Sequence, residues 1–196
     1  NRLYAAFSQR LESQLAELPI QYADYAHWQR TLLTGQQLEA SLDYWRVTLA
    51  ESATFELPTD YPRPAVQSFN GEEISVEIGA EVLESTRRLC RDEGATLYMA
   101  VLASFQLALS HQARQKIVTV GSPVAGRETA EAEELIGCFI NNLTLRSDLS
   151  QAADFRSLLR QTRAMTLAAH QHQELPFERL VDALRVERDT SRHPLF

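Results

Sequence analysis

The stretch "LYMAVLASFQLALSHQ" (residues 97–112) constrains the fold more than any other part of the sequence. Its apolar residues occur on nearly every side of a helical projection, and it contains no glycine, proline, acidic residue, lysine or arginine. Thr96 is a suitable N-cap for this helix, and Gly94 is a suitable end for a helix before it. Because a helix that is apolar all round belongs in a core, the rest of the chain should fold around it.

Three segments predict strands. Ile74, Val76 and Ile78 alternate with polar residues, which is typical of a strand with one buried face. The runs "KIVTVGSPV" (116–124) and "GCFINNLTLRSDL" (137–149) predict buried strands. Strands separated by helices indicate a two-layer α/β domain, in which helices cover the sheet on at least one face.

The other helices follow from apolar residues spaced three or four apart. In the first part of the chain, helices are predicted over 3–15, where Pro19 stops the helix, over 23–33, which ends near Gly35, and over 38–49, where Leu38, Leu42, Trp45 and Leu49 share one face. Further helices are predicted over 80–93, over 155–171 after Asp154, and over a short stretch that starts at Pro176. Pro58, Pro62 and Pro64 exclude a helix or a central strand from residues 55–71. That segment is therefore predicted to be an extended connection.

Composition excludes several classes of function. The 196 residues suffice for one domain with a core, and 44% hydrophobic with 23% charged residues is the balance of a globular protein. A net charge of −7 argues against a nucleic-acid surface, and no apolar run approaches the ~20 residues that cross a membrane. Cys90 and Cys138 are predicted to be buried, reduced thiols, and the expected location is the cytoplasm.

Few side chains form a pattern that carries chemistry. No serine lies in a G-x-S-x-G turn, and the sequence has neither a phosphate-binding glycine loop nor a dinucleotide fingerprint. His170 and His172 are close in sequence, but two residues apart on a helix they point away from each other, so no metal site is expected. A solvated helix end, where the dipole favours His170, explains the pair better.

Polar residues interrupt the predicted strand 137–149. Asn141 and Asn142 are unusual there, because asparagine is depleted in strands and an unpaired buried amide is costly. They indicate either a bulge or sheet edge, or amides that line a cleft, and the residues alone leave both open. Arg146 alternates with buried positions, so its burial would require a partner. Arg127 follows a strand end, where arginines are usually solvated.

Five stretches resemble, in order, the motifs of one family: "YADYAHWQ" (22–29), "SPVAGRE" (122–128), "IGCFINNLTLR" (136–146), "HQELPFERLV" (172–181) and "RDTSRHPLF" (188–196). They look like the later motifs of the condensation domains of nonribosomal peptide synthetases. Each alone is weak, but their order and approximate spacing match along the whole chain. The matching residues are Tyr22, Asp24, Tyr25, Trp28, Arg127, Gly137, Phe139, Asn141, Arg146, His172, Gln173, Pro176, Phe177, Glu178, Arg188, Asp189, Ser191, Arg192 and Pro194.

The sequence departs from the family pattern at four positions. His27, Asn142, Glu174 and His193 stand where the family usually has valine, threonine, aspartate and asparagine. The first three changes are mild. His193 adds a titratable group to a motif that normally has none.

The resemblance implies a chloramphenicol-acetyltransferase-like fold, with two lobes around a tunnel. Residues 1–70 would be the end of the first lobe and a helical and extended connection, and residues 71–196 a second lobe that is incomplete at its C-terminus. Asn141, Asn142 and Arg146 are predicted to line the tunnel. The family's catalytic motif, H-H-x-x-x-D-G, belongs to the first lobe and does not occur in this sequence, so no residue here receives a catalytic role.

The resemblance also implies partners and a reaction. Donor and acceptor peptidyl carrier proteins would deliver phosphopantetheine thioesters, beside an adjacent adenylation domain, and no cofactor would bind this chain directly. The acceptor amine would attack the donor thioester and form an amide. Two alternatives remain: a non-catalytic, condensation-like module that binds carrier proteins, and an acyltransferase that uses coenzyme A.

Overall fold

The computed structural model describes residues 2–12, 15–50, 55–127, 129–186 and 189–196. In chain order these contain α1 (Arg2–Ser8), α2 (Tyr22–Leu32), α3 (Gly35–Leu49), α4 (Ala80–Glu93), α5 (Leu97–Ala113), β1 (Ile117–Val124), α6 (Ala130–Glu133), β2 (Asn141–Asp148), a 3-10 turn (Leu149–Gln151), α7 (Phe155–His170) and α8 (Phe177–Leu184). The mixture of helices with a small sheet confirms the α/β prediction. None of the helices in these ranges is both long and apolar enough to cross a membrane.

The predicted caps of the central helices are present. Gly94 ends α4 in the left-handed region at φ +60°, and the Thr96 hydroxyl accepts a hydrogen bond from the Met99 backbone N–H at the start of α5. One face of α5, including Ala100 and Ala103, is buried as expected. The opposite face is not, because Tyr98, Val101 and Phe105 remain 46–52% exposed. The described elements therefore cover this apolar helix on one side only.

The sheet is an antiparallel hairpin of β1 and β2, in register from Ile117 opposite Asp148 to Val124 opposite Asn141. Residues directly opposite each other share a face of the sheet. Val118, Val120, Leu143 and Leu145 lie on one face and cluster with side chains of α5 and α7. Thr119, Gly121, Asn142, Thr144 and Arg146 lie on the other, which we call the polar face.

The strand predicted at residues 74–78 is wrong. Ile74, Val76 and Ile78 are 82%, 81% and 61% exposed, and the segment forms no ladder with any described strand. Alternation describes which side chains would share a face, but a strand also needs a neighbouring backbone to bond. No such neighbour lies beside this segment in the described part of the chain.

Other boundaries also differ from the sequence-based prediction. Helix α1 ends at Ser8 rather than extending to residue 15, and Gly35 begins α3 rather than ending α2. Strand β2 starts at Asn141, so Cys138 lies in a loop and is exposed, contrary to its predicted burial. Cys90 is buried as predicted, and that burial raises the pKa of its thiol.

Candidate functional site

Aromatic side chains join α2 to the loop before β2. The Tyr25 ring centroid lies 4.7 Å from that of Phe139, and the Tyr22 ring meets Phe139 edge-on at 5.2 Å. The Tyr22 hydroxyl donates to the Cys138 carbonyl at 2.8 Å. Gly137 allows this approach, since a Cβ there would overlap the Tyr22 ring. Two motifs more than 100 residues apart in sequence therefore hold each other in place.

Arg127 organises the same loop from the other side. Its guanidinium donates to the Ala132 carbonyl, which lies in the short helix α6, and at 2.8 Å to the Leu135 carbonyl, which lies just after that helix. The guanidinium carbon also lies 4.1 Å from the centroid of the Phe139 ring, in cation–π geometry. Arg127 therefore bonds to backbone carbonyls instead of being only solvated, and these contacts hold it against residues 132–139.

Asn141 is a four-bond clamp at the start of β2. Its side-chain amide donates to the carbonyls of Gln173 and Leu175, each at 2.8 Å. Its side-chain oxygen accepts from the backbone N–H groups of Asn142 and Phe177, each at 2.9 Å. Every hydrogen-bonding site of the amide is thus used, and three of the four bonds attach residues 173–177 to the sheet. These bonds explain why an asparagine occurs in a mostly buried strand.

The turn around His172 is held by α3. The His172 ring stacks on Tyr44 with centroids 4.1 Å apart, and its carbonyl accepts from the Trp45 indole N–H at 3.4 Å. The Glu174 carboxylate accepts from the Ser41 hydroxyl at 2.6 Å. Sequence reasoning missed these α3 partners, although Ser41 and Trp45 share the apolar face predicted for that helix.

The two histidines that are close in sequence, His170 and His172, contact different side chains. His170 ends α7, and its ring nitrogen lies 3.3 Å from the Gln173 side-chain oxygen, while His172 faces Tyr44. Among the described residues, no group of histidine, cysteine, aspartate and glutamate is arranged to hold a metal ion.

The side chains of Arg146 and Asn141 lie on opposite faces of the sheet, because successive residues of a strand alternate between the two faces and these residues are five positions apart. On the polar face, the Arg146 Nε and the hydroxyls of Thr119 and Thr144 are shielded from solvent and form no hydrogen bond within the described part of the chain. Arg146 interacts electrostatically with Asp148 on the same face, while hydrogen bonds from Ser150 are the main cause that lowers the pKa of Asp148. The polar face thus carries a row of polar groups without hydrogen-bond partners among the described residues.

The terminal segment, residues 189–196, is attached to the proline-rich connection. Arg192 forms ion pairs with Glu56 at 2.8 Å and Asp189 at 3.0 Å. The Thr190 hydroxyl donates to the Ala65 carbonyl at 2.7 Å, and the Thr190 carbonyl accepts from the Gln67 backbone N–H at 3.0 Å. The neighbouring motif residue Arg188 lies outside the described residues. Polar contacts therefore hold this segment against the proline-rich connection.

Asp24 and Trp28 complete the first motif. The Asp24 carboxylate accepts from the Gln21 backbone N–H at 2.8 Å and so caps the start of α2. The Trp28 ring lies 5.7 Å from the Tyr25 ring but remains 47% exposed. Asp24 therefore has a local structural role, and Trp28 presents its apolar surface outward.

Asp189→Ala is expected to lower the thermal midpoint by a few degrees and to loosen the terminal segment. Hydrogen bonds from Ser191, then the charge of Arg192, lower the pKa of Asp189. A lowered carboxyl pKa stabilises the fold above the ordinary value of about 3.9, and that stability is lost as the pH falls below it. Thermal unfolding between pH 7 and pH 3 measures both the lower midpoint of the variant and the loss of this carboxyl's contribution at low pH. Asp60→Ala is the control, and equal midpoints for the two variants would contradict the prediction.

The fold and these contacts define an α/β structure whose motifs meet around the start of β2 and in the terminal segment. The chain belongs to the condensation domain family, whose model matches residues 2–196. This family has the chloramphenicol-acetyltransferase-like fold expected from the motifs.

Similar proteins agree with this assignment. A linear gramicidin synthase polypeptide of Brevibacillus parabrevis is 50% identical over 194 residues, which cover 98% of this chain and 4% of the synthase. The X-domain in its complex with OxyB from teicoplanin biosynthesis is 26% identical with a TM-score of 0.94, over 100% of this chain and 44% of that one. A four-domain nonribosomal peptide synthetase, AB3403, is 28% identical with a TM-score of 0.78, over 83% of this chain and 12% of that one. The chain therefore spans less than half the length of each.

Proposed function

We propose that this chain forms part of a condensation domain that joins a carrier-bound acyl donor to the amino group of a carrier-bound acceptor. The observation that carries the proposal is the 50% identity to a linear gramicidin synthase across 98% of this chain. In this proposal residues 71–196 belong to the second lobe, and residues 1–70 to the end of the first lobe and the connection. The domain works in the cytoplasm beside an adenylation domain.

The proposed reaction forms an amide from a thioester. The acceptor's amine nitrogen attacks the donor's carbonyl carbon, the C–N bond forms as the C–S bond breaks, and the amine's proton passes to the departing thiolate. The attacking group belongs to the substrate, so the protein has to position two substrates and stabilise a developing oxyanion. Phosphopantetheine arrives on the carrier proteins as part of the substrates, and this chain needs no resident cofactor.

The residues of this chain supply one wall of the substrate tunnel in our proposal. Arg146 supports this role, because its Nε is shielded and has no hydrogen-bond partner in the described part of the chain. A shielded donor without a partner favours a polar ligand that would use it. Asn142 lies on the same face, whereas Asn141 supports that wall from the opposite side through its bonds to residues 173–177.

A second candidate is a non-catalytic module that binds a partner protein. It is favoured by the similarity to an X-domain that was solved as a complex with OxyB. This chain carries no H-H-x-x-x-D-G motif, so its own residues are compatible with either function. The two candidates differ in whether an amide forms.

The test is a condensation assay on the natural polypeptide that carries these residues. A donor acyl group is loaded on one carrier protein and an amino acid on another, and intact mass spectrometry follows the carrier-bound product. The amide should form only when both carriers are loaded. Equal product from a coenzyme A donor would favour the coenzyme A-dependent alternative, and carrier binding without product would favour the binding module.

The 196 residues on their own are expected to form no amide above the uncatalysed rate. Positioning two substrates requires both walls of the tunnel, and the sequence contains no His-His pair and no Asp-Gly pair. The same mass assay measures this in parallel with the natural polypeptide, with circular dichroism as the control for folding. Comparable turnover by the two would overturn both the tunnel proposal and the assignment of the catalytic base to residues outside this sequence.

A further inference from the structure

The terminal segment ends in an aromatic stack that reaches the hairpin. The His193 ring lies 3.7 Å from the Phe196 ring, nearly parallel at 18°, and 4.9 Å from the Phe177 ring on α8. Phe196 in turn covers Gly121 of β1 so closely that a Cβ at that glycine would enter its ring. The stack therefore joins the terminal segment to α8 on one side and to the polar face of the hairpin on the other.

The imidazole in this stack has no polar partner for one of its nitrogens. The Nδ1 of His193 is shielded from solvent and forms no hydrogen bond within the described residues. A neutral ring tolerates this position against two phenyl rings, whereas the shielded Nδ1–H of a charged ring would need water or an acceptor there. The geometry thus distinguishes between the two protonation states of one side chain.

We propose that His193 is a pH-sensitive latch, whose neutral ring holds residues 189–196 on the hairpin and whose protonation releases them. Release would break the bonds from Thr190 to Ala65 and from Arg192 to Glu56. It would also remove one wall of the cavity of about 1240 Å³ that this segment lines together with α3 and the proline-rich connection. The inference concerns the fold of this chain and does not depend on the proposed reaction.

Charged groups surround the latch, and two of the arginines among them are paired with carboxylates. The cavity beside His193 is lined by Arg46 of α3, Arg63 of the proline-rich connection, and Asp189 and Arg192 of the terminal segment. The polar face under Phe196 carries Arg146 and Asp148. Helix α8 carries Glu178, Arg179 and Asp182. Arg46 pairs with Glu39 and Asp43, and Arg192 pairs with Glu56 and Asp189. Burial is the cause that lowers the pKa of His193.

The direction of the pH effect follows from this lowered pKa. A released His193 binds a proton near the ordinary value of about 6.5, while the docked ring binds one only at lower pH. The docked state is therefore fully favoured above that value and loses stability as the pH falls below it. Between the two pKa values, the ratio of released to docked segment should rise about tenfold for each pH unit.

Hydrogen exchange and proton NMR on the natural polypeptide test the latch. We expect His193, identified by its absence in His193→Asn, to titrate below the ordinary histidine pKa of about 6.5. Exchange of the amides of residues 189–196, corrected for intrinsic rates, should rise about tenfold per pH unit below that value. His193→Phe should make this exchange independent of pH down to the ordinary aspartate pKa of about 3.9, below which Asp189 also titrates.

Two further variants make the result specific. His172→Phe, which changes the other histidine stacked on an aromatic ring, should leave the pH dependence of the terminal segment unchanged. Gly121→Ala should displace Phe196 and expose the segment at both high and low pH. Titration of His193 at its ordinary pKa with the segment still protected, or the same pH dependence in wild type and His193→Phe, would overturn the proposal.

Discussion

Replacing Gly126 with alanine is expected to reduce the free energy of unfolding by about 3–5 kcal/mol, within the range of strongly destabilising single substitutions. Gly126 has a φ of +65°, where an L side chain is strained. A Cβ there would also overlap the carbonyl oxygen of Phe139, which is backbone and has no alternative rotamer. Since Arg127 follows this turn directly and packs on the Phe139 ring, the contacts between this turn and residues 132–139 would also be lost.

Urea unfolding of Gly126→Ala measures this loss by linear extrapolation. Gly79→Ala is the matched control, because Gly79 has a φ of −58° and a Cβ added there would meet no atom within 4 Å. The control should change stability by less than about 1 kcal/mol. A loss for Gly126→Ala as small as that of the control would show that the turn does not need glycine.

Asn141→Ala is expected to cost about 3–4 kcal/mol, because each buried polar group left without a partner costs about 1–3 kcal/mol. The substitution leaves the Gln173 and Leu175 carbonyls and the Phe177 N–H without their side-chain partner. Residues 173–177 would then detach from β2. Asn141→Asp should not rescue stability, because a carboxylate cannot donate to the two carbonyls.

Asn142→Ala is the control for Asn141→Ala, since it removes the same side chain one residue further on and on the opposite face. We expect a change within about 1 kcal/mol for the control. Guanidinium or urea unfolding followed by tryptophan fluorescence is a suitable measurement, because Trp45 bonds to the same turn through the His172 carbonyl. Equal losses of unfolding free energy for both variants would show that the Asn141 side chain does not hold residues 173–177 to β2.

The motif pattern identified the family but not what the motif residues do. Tyr22, Arg127 and Phe139 matched family positions in the sequence, and in the structure both Tyr22 and Arg127 contact the Phe139 ring. The role of Tyr22 depends on contacts between segments more than 100 residues apart, such as that between its hydroxyl and the Cys138 carbonyl, and the role of Arg127 depends on how the loop up to Phe139 folds back on it. Spacing along the chain carries no information about such contacts, so these roles could not be predicted.

Local signals predicted where most helices of this protein lie, although α1 is shorter than predicted and α6 was not predicted. Gly94, Thr96 and Asp154 mark the end of α4 and the starts of α5 and α7, because caps act through hydrogen bonds within a few residues of each other. The buried face of α3 was likewise readable, since residues three or four apart in a helix share a side. These features depend on neighbours in sequence, and the sequence alone contains them.

Tertiary structure decided the rest. The alternating residues Ile74 and Val76 were predicted to form a strand and do not, because a strand exists only where another backbone lies beside it to complete the hydrogen bonds. Asn141 could have been a bulge residue or a cleft amide from its sequence context, and its four bonds to backbone groups, three of them in a distant segment, make it a clamp. The caps, the apolar faces of the helices and the family motifs could be read from neighbouring residues, whereas strand pairing, burial and the partners of polar side chains depended on contacts between remote segments.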